Sequence, residues 1–449
     1  MATQEARVPA RAWVVTLAGA ACNLCLGILY AWSVWKKVLV DKPKADLGEL
    51  MTGINAGWPY LTDSQGTFAY FVCGLFFAFF MIPGGRLQDK YGPKVGATVG
   101  GLCLALGCIV AGLMKSYLGL MIGFGILGGI GMGIGYAAPT PAALKWFGPH
   151  KRGVIAGIVV AGYGAAAIYI APLAQFLIDK YGISASFIGL GIFFAVVVVL
   201  AGQLLSNPPA GYVPPAAPVN PSLSASAKPA AAPAADWLPP EMMSKWQYYA
   251  LVLMFIGSAQ SGLLVIANAA PILGKTAGKL EFFAKNAWII AAFGGAINAL
   301  GRVGTGMYSD KIGRSNAYML NGVVSALCLI AAPFVMKMES VALLFLAVGI
   351  AYWQYGGGLA LMPAFTADFF GSKNLGANYG FVFIGWGLGF LMPLIAGYIK
   401  DYTGSYDLSF YISAGILVVA VILCRFIKKP TKKSEEQDAD RSGLRAAGS

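Results

Sequence analysis

Apolar stretches recur along this chain at near-regular intervals, separated by short polar breaks. Each approaches the roughly 20 residues that a helix needs to cross a bilayer. They predict helical spans at 13–35, 66–84, 95–113, 118–140, 153–175, 184–205, 247–269, 287–308, 315–335, 340–362, 378–398 and 406–427. Six precede and six follow one long interruption. The expected fold class is therefore an all-α membrane protein. The first stretch is too long, and too well followed by others, to be a cleaved signal peptide. The interruption, 206–240, is rich in Pro, Ala and Ser and reads as an extended, poorly ordered linker. This divides the chain into an N-terminal half, 1–205, a cytoplasmic linker, a C-terminal half, 241–428, and a tail, 429–449. PPEMMSKWQYY (239–249) reads as a short interfacial helix entering the seventh span, with Trp246, Tyr248 and Tyr249 at headgroup level.

Composition sharpens this picture. Hydrophobic residues make up 58% of the chain and charged residues 11%, against roughly 25% charged in soluble proteins. Mean hydropathy is +0.68. The net charge of +13 sorts by side. With both termini cytoplasmic, Lys and Arg crowd the inside segments, the linker and the tail, while outer loops hold fewer, Lys36, Lys37 and Lys400 among them. That orientation corresponds to a multi-pass protein of the inner (plasma) membrane. The basic residues form no helical stripe with interleaved aromatics, so no nucleic acid is expected as a partner. The tail suits anionic lipid. The seven cysteines all fall in predicted spans and read as small buried apolar residues rather than a disulfide framework. The single histidine, His150, reads as a solvated loop residue.

The two halves repeat each other. GGRLQDKYGPK (84–94) follows the second span and GTGMYSDKIGR (304–314) follows the eighth. Both contain Gly-x-x-x-Asp-Lys-x-Gly, in which glycine permits close helix approach and a tight turn. Phe147, Gly148, Gly153, Gly157, Gly162 and Gly164 recur at the same spacing as Phe370, Gly371, Gly376, Gly380, Gly385 and Gly387. Spans 5 and 11 are thus related, glycine-faced and closely packed. Parallel six-span halves are the mark of the major facilitator architecture, with substrate held midway between them.

One charge stands out. Arg302, in NALGRVGTG, is the only charged side chain that the pattern places well inside a span. A charge at that depth costs about 2.5–3.5 kcal/mol on insertion scales and needs a compensating role. No carboxylate within a span pairs with it, so an anionic substrate is the first reading. Snorkelling to a headgroup or capping a helix C-terminus is the bland one. Asn298 lies one turn earlier on the same face, where its amide can hold the guanidinium or donate to substrate. Asn268 in span 7 is a second buried polar candidate. Tyrosines in spans 1, 4, 5 and 10 can bury apolar substrate surface while offering hydroxyls, or can be ordinary core.

Several segments carry a resemblance: NLCLGILYAWSVW (23–35), GIGYAAPTPAALKWF (133–147), KRGVIAGIVVAGYG (151–164), SGLLVIANAAP (261–271), NALGRVGTGMYSDKIGR (298–314) and NYGFVFIGWGLG (378–389). Together with the Asp-Lys repeats they resemble the oxalate/formate antiporter family of the major facilitator superfamily, related to the monocarboxylate transporters. The resemblance implies twelve helices in two pseudo-symmetric halves and small-carboxylate transport without a cofactor. It implies that Arg302 grips a carboxylate, that Tyr30, Tyr136 and Tyr163 line the cavity, and that Tyr355 stands where the family has a tryptophan. Two positions depart from the oxalate pattern. Leu359 replaces a second span-10 aromatic, and Trp386 replaces a second cation. One cation beside a bulky aromatic argues for a monocarboxylate, lactate or pyruvate in type, rather than oxalate.

Transport is expected by alternating access, with the Asp89-Lys90 and Asp310-Lys311 loops latching one state. With no acid in mid-span, a coupled proton has three routes: the substrate carboxylate, Asp368 or a tyrosine network. Proton symport is expected, with anion exchange as the alternative. No nucleophile–base pair, metal cluster or phosphate loop appears, so an enzyme is not expected, and a monomer is.

Overall fold

The computed structural model describes residues 8–41, 49–215, 236–277, 280–371 and 374–432, with backbone alone for 149–153 and 376. Among the described residues, twelve membrane-length helices make up the bundle. They are α1 (Ala10–Leu39), α2 (Asp63–Tyr91), α3 (Pro93–Met114), α4 (Tyr117–Leu144), α5 (149–181), α6 (183–204), α7 (Trp246–Thr276), α8 (Trp288–Ile312), α9 (Arg314–Lys337), α10 (Val341–Phe370), α11 (375–403) and α12 (Asp407–Phe426). Among the described residues, ten segments are long and apolar enough to cross a membrane. One of these, 154–204, is two helices joined at Gly182, whose φ of 85° breaks the helical path. The remaining helix, α8, is the one that carries Arg302.

Local chemistry sets the helix ends. Thr62 and Gln65 form a reciprocal capping box at the start of α2, satisfying donors that a helix N-terminus leaves unpaired. The Asp-Lys repeats end their helices alike: Gly92 (φ 88°) and Gly313 (φ 90°) turn the chain by one residue into α3 and α9. Asp89, Lys90, Asp310 and Lys311 were expected in loops; they lie in the last helical turns instead.

The glycine repeat also acts in pairs. A Cβ at Gly162 would lie 2.5 Å from the Ala20 carbonyl of α1, and one at Gly385 would lie 2.6 Å from the Val252 carbonyl of α7. Gly164 faces Ala299 and Arg302 of α8, while Gly387 faces Ala78 of α2. Equivalent glycines therefore seat α5 and α11 first on their own half, then across the interface.

Four helices break along their length, α4 with a π stretch at Met121–Gly128 and a turn at 137–138 just after Tyr136. In α1 a 3-10 turn spans Gly27–Ala31. Ala166 interrupts α5, and α11 is broken at Phe383 and after Leu388. Broken backbone is tolerated at membrane depth only inside protein or along a cavity. These breaks present Tyr30, Tyr163 and Trp386 to the space between the halves.

The linker's outer portions are docked. The Trp146 indole N–H donates to the Ser206 carbonyl (2.8 Å) and the Tyr212 hydroxyl to the Trp146 carbonyl (3.0 Å). At the other end Trp237 is buried; its carbonyl accepts from Asn374 and Asn378, each at 3.0 Å. Residues 216–235 and the tail beyond 432 lie outside the described residues. The expected interfacial helix is Pro239–Met243, and Ser244 and Lys245 separate it from α7. Trp246 and Tyr249 are exposed as expected, whereas Tyr248 is buried, its hydroxyl 3.4 Å from the Phe381 carbonyl. All seven cysteines are free.

Candidate functional site

Arg302 reaches the interface between the halves from α8 and is 6% exposed. Its Nε donates to Asn298 Oδ1 (3.1 Å), Nη1 to the Val160 carbonyl of α5 (3.3 Å) and Nη2 to the Tyr30 hydroxyl of α1 (3.1 Å). Gly164 makes this approach possible, since a Cβ there would sit 3.3 Å from Arg302 Nε. The three partners are neutral. A guanidinium has five N–H donors in a planar fork, so donors remain on both Nη atoms for a carboxylate.

An aromatic shell surrounds the fork. The Tyr30 and Tyr355 hydroxyls lie 3.0 Å apart, and the Trp386 indole donates to Tyr355 at 2.7 Å. Tyr163 meets Tyr30 edge-on at 5.2 Å and Tyr136 at 5.1 Å. Phe77 closes the shell against Tyr136, Tyr163 and Trp386, and Phe383 stacks on Trp386 at 4.8 Å. Leu359 is buried one turn beyond Tyr355 on α10. The structure thus gathers Arg302, Asn298, Tyr30, Tyr136, Tyr163, Tyr355 and Trp386 in one place.

Asn268 does not join them. Its Oδ1 accepts from Lys36 Nζ at 2.5 Å. It lies six residues beyond Gly262, which packs on Tyr355; that is about 9 Å of helical rise. On α7, continuous burial from Gly257 to Ala270 removes the periodicity that would mark a cavity face.

The charge pattern also needs correcting. Arg302 is not alone: Lys36, expected in an outer loop, is fully buried at the end of α1 opposite the chain termini. Its ammonium pairs with Asp63 at 2.9 Å. Tyr406, from the other half, donates to Asp63 (2.5 Å), and Asp401 accepts the backbone N–H groups of Asp63 and Ser64, each at 2.9 Å. This far end is therefore tied by charge and hydrogen bonds between halves. It forms the floor of a mouth of about 680 Å³ that also includes Lys37, Lys275 and Lys400. Hydropathy ended the first span at residue 35, and α2 starts three residues earlier than its pattern suggested.

The Asp-Lys residues do not latch the halves in this conformation. Asp89 accepts from neighbouring Gln88 at 2.6 Å, and Asp310 pairs with Arg314 at 2.5 Å within its own half. Among the described residues, the hydrogen bonds between halves lie at mid-membrane and at the far end. Asp368 is largely exposed, 3.8 Å from Arg314, and does not reach the Arg302 cluster.

This geometry has known relatives. A chain described as an uncharacterized MFS-type transporter, YhjX, of Escherichia coli is 26% identical over 377 residues, covering 84% of this chain and 85% of that one. The oxalate:formate antiporter of Oxalobacter formigenes is 26% identical over 424 residues, 92% of both chains. Monocarboxylate transporter 12 of Xenopus laevis is 24% identical over 360 residues, 77% of this chain and 76% of that one. Among solved structures, the xylose transporter XylE of E. coli in a partially occluded inward-open conformation aligns with a TM-score of 0.65 at 12% identity, covering 93% of this chain and all of that one. The profile of the Major Facilitator Superfamily matches residues 12–353 and 284–447. With twelve helices arranged around a buried arginine, this chain belongs to the Major Facilitator Superfamily, a family of membrane transporters.

Proposed function

We propose that this protein carries small monocarboxylates of the lactate and pyruvate type together with a proton, by alternating access, across the inner membrane with both termini cytoplasmic. The observation that carries the reading is a single guanidinium at mid-membrane whose partners are all neutral and whose outer wall is aromatic. One carboxylate neutralises one arginine. A dicarboxylate would leave its second charge against Trp386, whose indole is already committed to Tyr355. Two relatives, named as an oxalate:formate antiporter and a monocarboxylate transporter, support a small carboxylate as cargo.

The expected result is that lactate and pyruvate compete for labelled lactate uptake into proteoliposomes at least tenfold better than oxalate at equal concentration. If oxalate competes best, the role given to Trp386 is wrong.

Charge balance supports a proton. The empty site holds a net positive charge, and the loaded site is neutral. A proton moving with the anion makes net uptake electroneutral. Liposomes free of internal carboxylate and given an inside-alkaline gradient are expected to accumulate lactate, and a protonophore to abolish this. Uptake that requires internal lactate or formate and ignores the protonophore would establish anion exchange instead.

A further inference from the structure

Away from the carboxylate grip, a pocket of about 560 Å³ lies among α8, α9 and α10 of the C-terminal half. Pockets for small ligands usually measure about 300–1,000 Å³. α8 and α9 meet at the Gly313 turn, and each packs on α10 more than on the other. The slot between them is floored by α10. Phe293 and Phe345 close its outer end, their ring centroids 5.1 Å apart. Leu320, Val324 and Leu346 are exposed on its rim. In a membrane these residues face acyl chains, so the entrance is from the bilayer. Among the described residues, no charged side chain lines the pocket.

The floor carries polar groups that hydrocarbon cannot satisfy. Gln354 lines the pocket and is 3% exposed. The oxygen of its amide accepts from Ser261 of α7 at 3.1 Å, while the nitrogen has no acceptor among the described residues. Trp353 lines the same pocket, packed on Gly304, where a Cβ would lie 2.6 Å from its ring. Its indole N–H likewise has no acceptor among the described residues. The other polar side chains of the pocket satisfy each other: Tyr308 donates to Asn321, and Asn321 to Thr305 at 3.2 Å. Gln354 adjoins Tyr355, whose hydroxyl belongs to the mid-membrane site. The bilayer core supplies no water at that depth. An acyl chain filling the pocket would leave both donors unpaired, whereas a carbonyl oxygen offers two lone pairs.

We propose that this pocket binds an uncharged aromatic carbonyl compound dissolved in the membrane, the chemical class that includes quinones, with its carbonyl on the Gln354 amide and the Trp353 indole N–H. The absence of lining charge excludes an ionised ligand, and the aromatic walls suit a flat ring. Sites built on buried polar groups reject analogues that lack the matching atom, so the carbonyl decides selectivity. Ile297 and Gln354 line the pocket and are the chain neighbours of Asn298 and Tyr355 in the carboxylate site. The two sites thus share α8 and α10. An occupant fastens α8, α9 and α10 together behind the substrate and slows turnover without competing for the carboxylate. None of this depends on which anion is carried.

Benzophenone serves as ligand and photolabel at once: it is uncharged and aromatic, has one carbonyl, and inserts into neighbouring C–H bonds on irradiation. The full-length protein in liposomes is irradiated with it, and labelled residues are located by mass spectrometry. Labelling is expected to saturate and to concentrate on the pocket segments of α8, α9 and α10. Diphenylmethane, which lacks only the carbonyl oxygen, is expected to compete at least tenfold less well than fluorenone, a flat aromatic ketone. In the dark, benzophenone is expected to lower the maximal rate of lactate uptake at unchanged KM. Gly349→Leu fills the pocket from a position where a Cβ meets only the Phe293 ring, at 3.4 Å. It is expected to keep uptake and lose both pocket labelling and inhibition. Gln354→Leu leaves Ser261 its bond to the Ser258 carbonyl (3.0 Å). It is expected to weaken benzophenone about tenfold and leave diphenylmethane unchanged, and it decides alone if Gly349→Leu does not fold. Labelling spread evenly over the lipid-facing surface, or equal competition by diphenylmethane and fluorenone, overturns the proposal and marks a groove for acyl chains. Inhibition competitive with lactate, or labelling that survives in both variants, overturns it by placing the probe elsewhere.

Discussion

Arg302→Lys is expected to lower lactate uptake efficiency by at least about 100-fold, close to the effect of Arg302→Ala, while the protein remains folded. Lysine keeps the charge but presents a compact ammonium in place of a planar fork. In this site the fork is held in register by Asn298, Val160 and Tyr30 from three helices. An ammonium cannot make those three contacts and also take a carboxylate bidentately. A 100-fold loss corresponds to about 2.7 kcal/mol, within the range of hydrogen bonds to a charged group. Thermal melting in detergent separates misfolding from lost binding. Near-normal kinetics in a well-folded Arg302→Ala protein would remove the carboxylate anchor from the mechanism.

The second large effect is on stability. Asp63→Asn is expected to destabilise the purified protein by about 3–5 kcal/mol, because it strands an ammonium in the interior. Lys36 is fully buried, whereas the Asp63 side chain is 12% exposed at the mouth. Lys36→Met should therefore cost less, since the remaining carboxylate keeps Tyr406 and some water. The double variant Lys36→Met/Asp63→Leu should regain most of the loss, as apolar replacements of buried pairs usually do. Melting temperatures of the four proteins check this ordering. A double variant as unstable as Asp63→Asn would mean that the pair does not act as a unit.

The sequence made the scaffold legible because its signals were duplicated. Each half carries the same glycines, and the structure uses Gly162 and Gly385, then Gly164 and Gly387, for equivalent contacts. Arg302 was legible because a lone charge in an apolar run has few explanations, and Asn298 because helical spacing puts it on the same face. Lys36 was hidden because hydropathy ends a span wherever charges begin; it cannot see that Asp63, 27 positions later, covers the ammonium. Asn268 was misplaced because α7 is buried on nearly every side. The break at Gly27–Ala31, which aims Tyr30, leaves no mark in an apolar sequence.

The docked ends of the linker bear on how the halves move. Tyr212 is fastened to the N-terminal half at Trp146, and Trp237 to the C-terminal half at Asn374 and Asn378. The stretch between them, 213–236, has a contour length of about 80 Å at roughly 3.3 Å per residue. That is longer than the bilayer's hydrocarbon core is thick, about 30 Å. A chain of that contour length can join the two docking points without fixing their separation. The close contacts between the halves are then those of the glycine-lined faces, where Gly164 meets Arg302 and Gly387 meets Ala78.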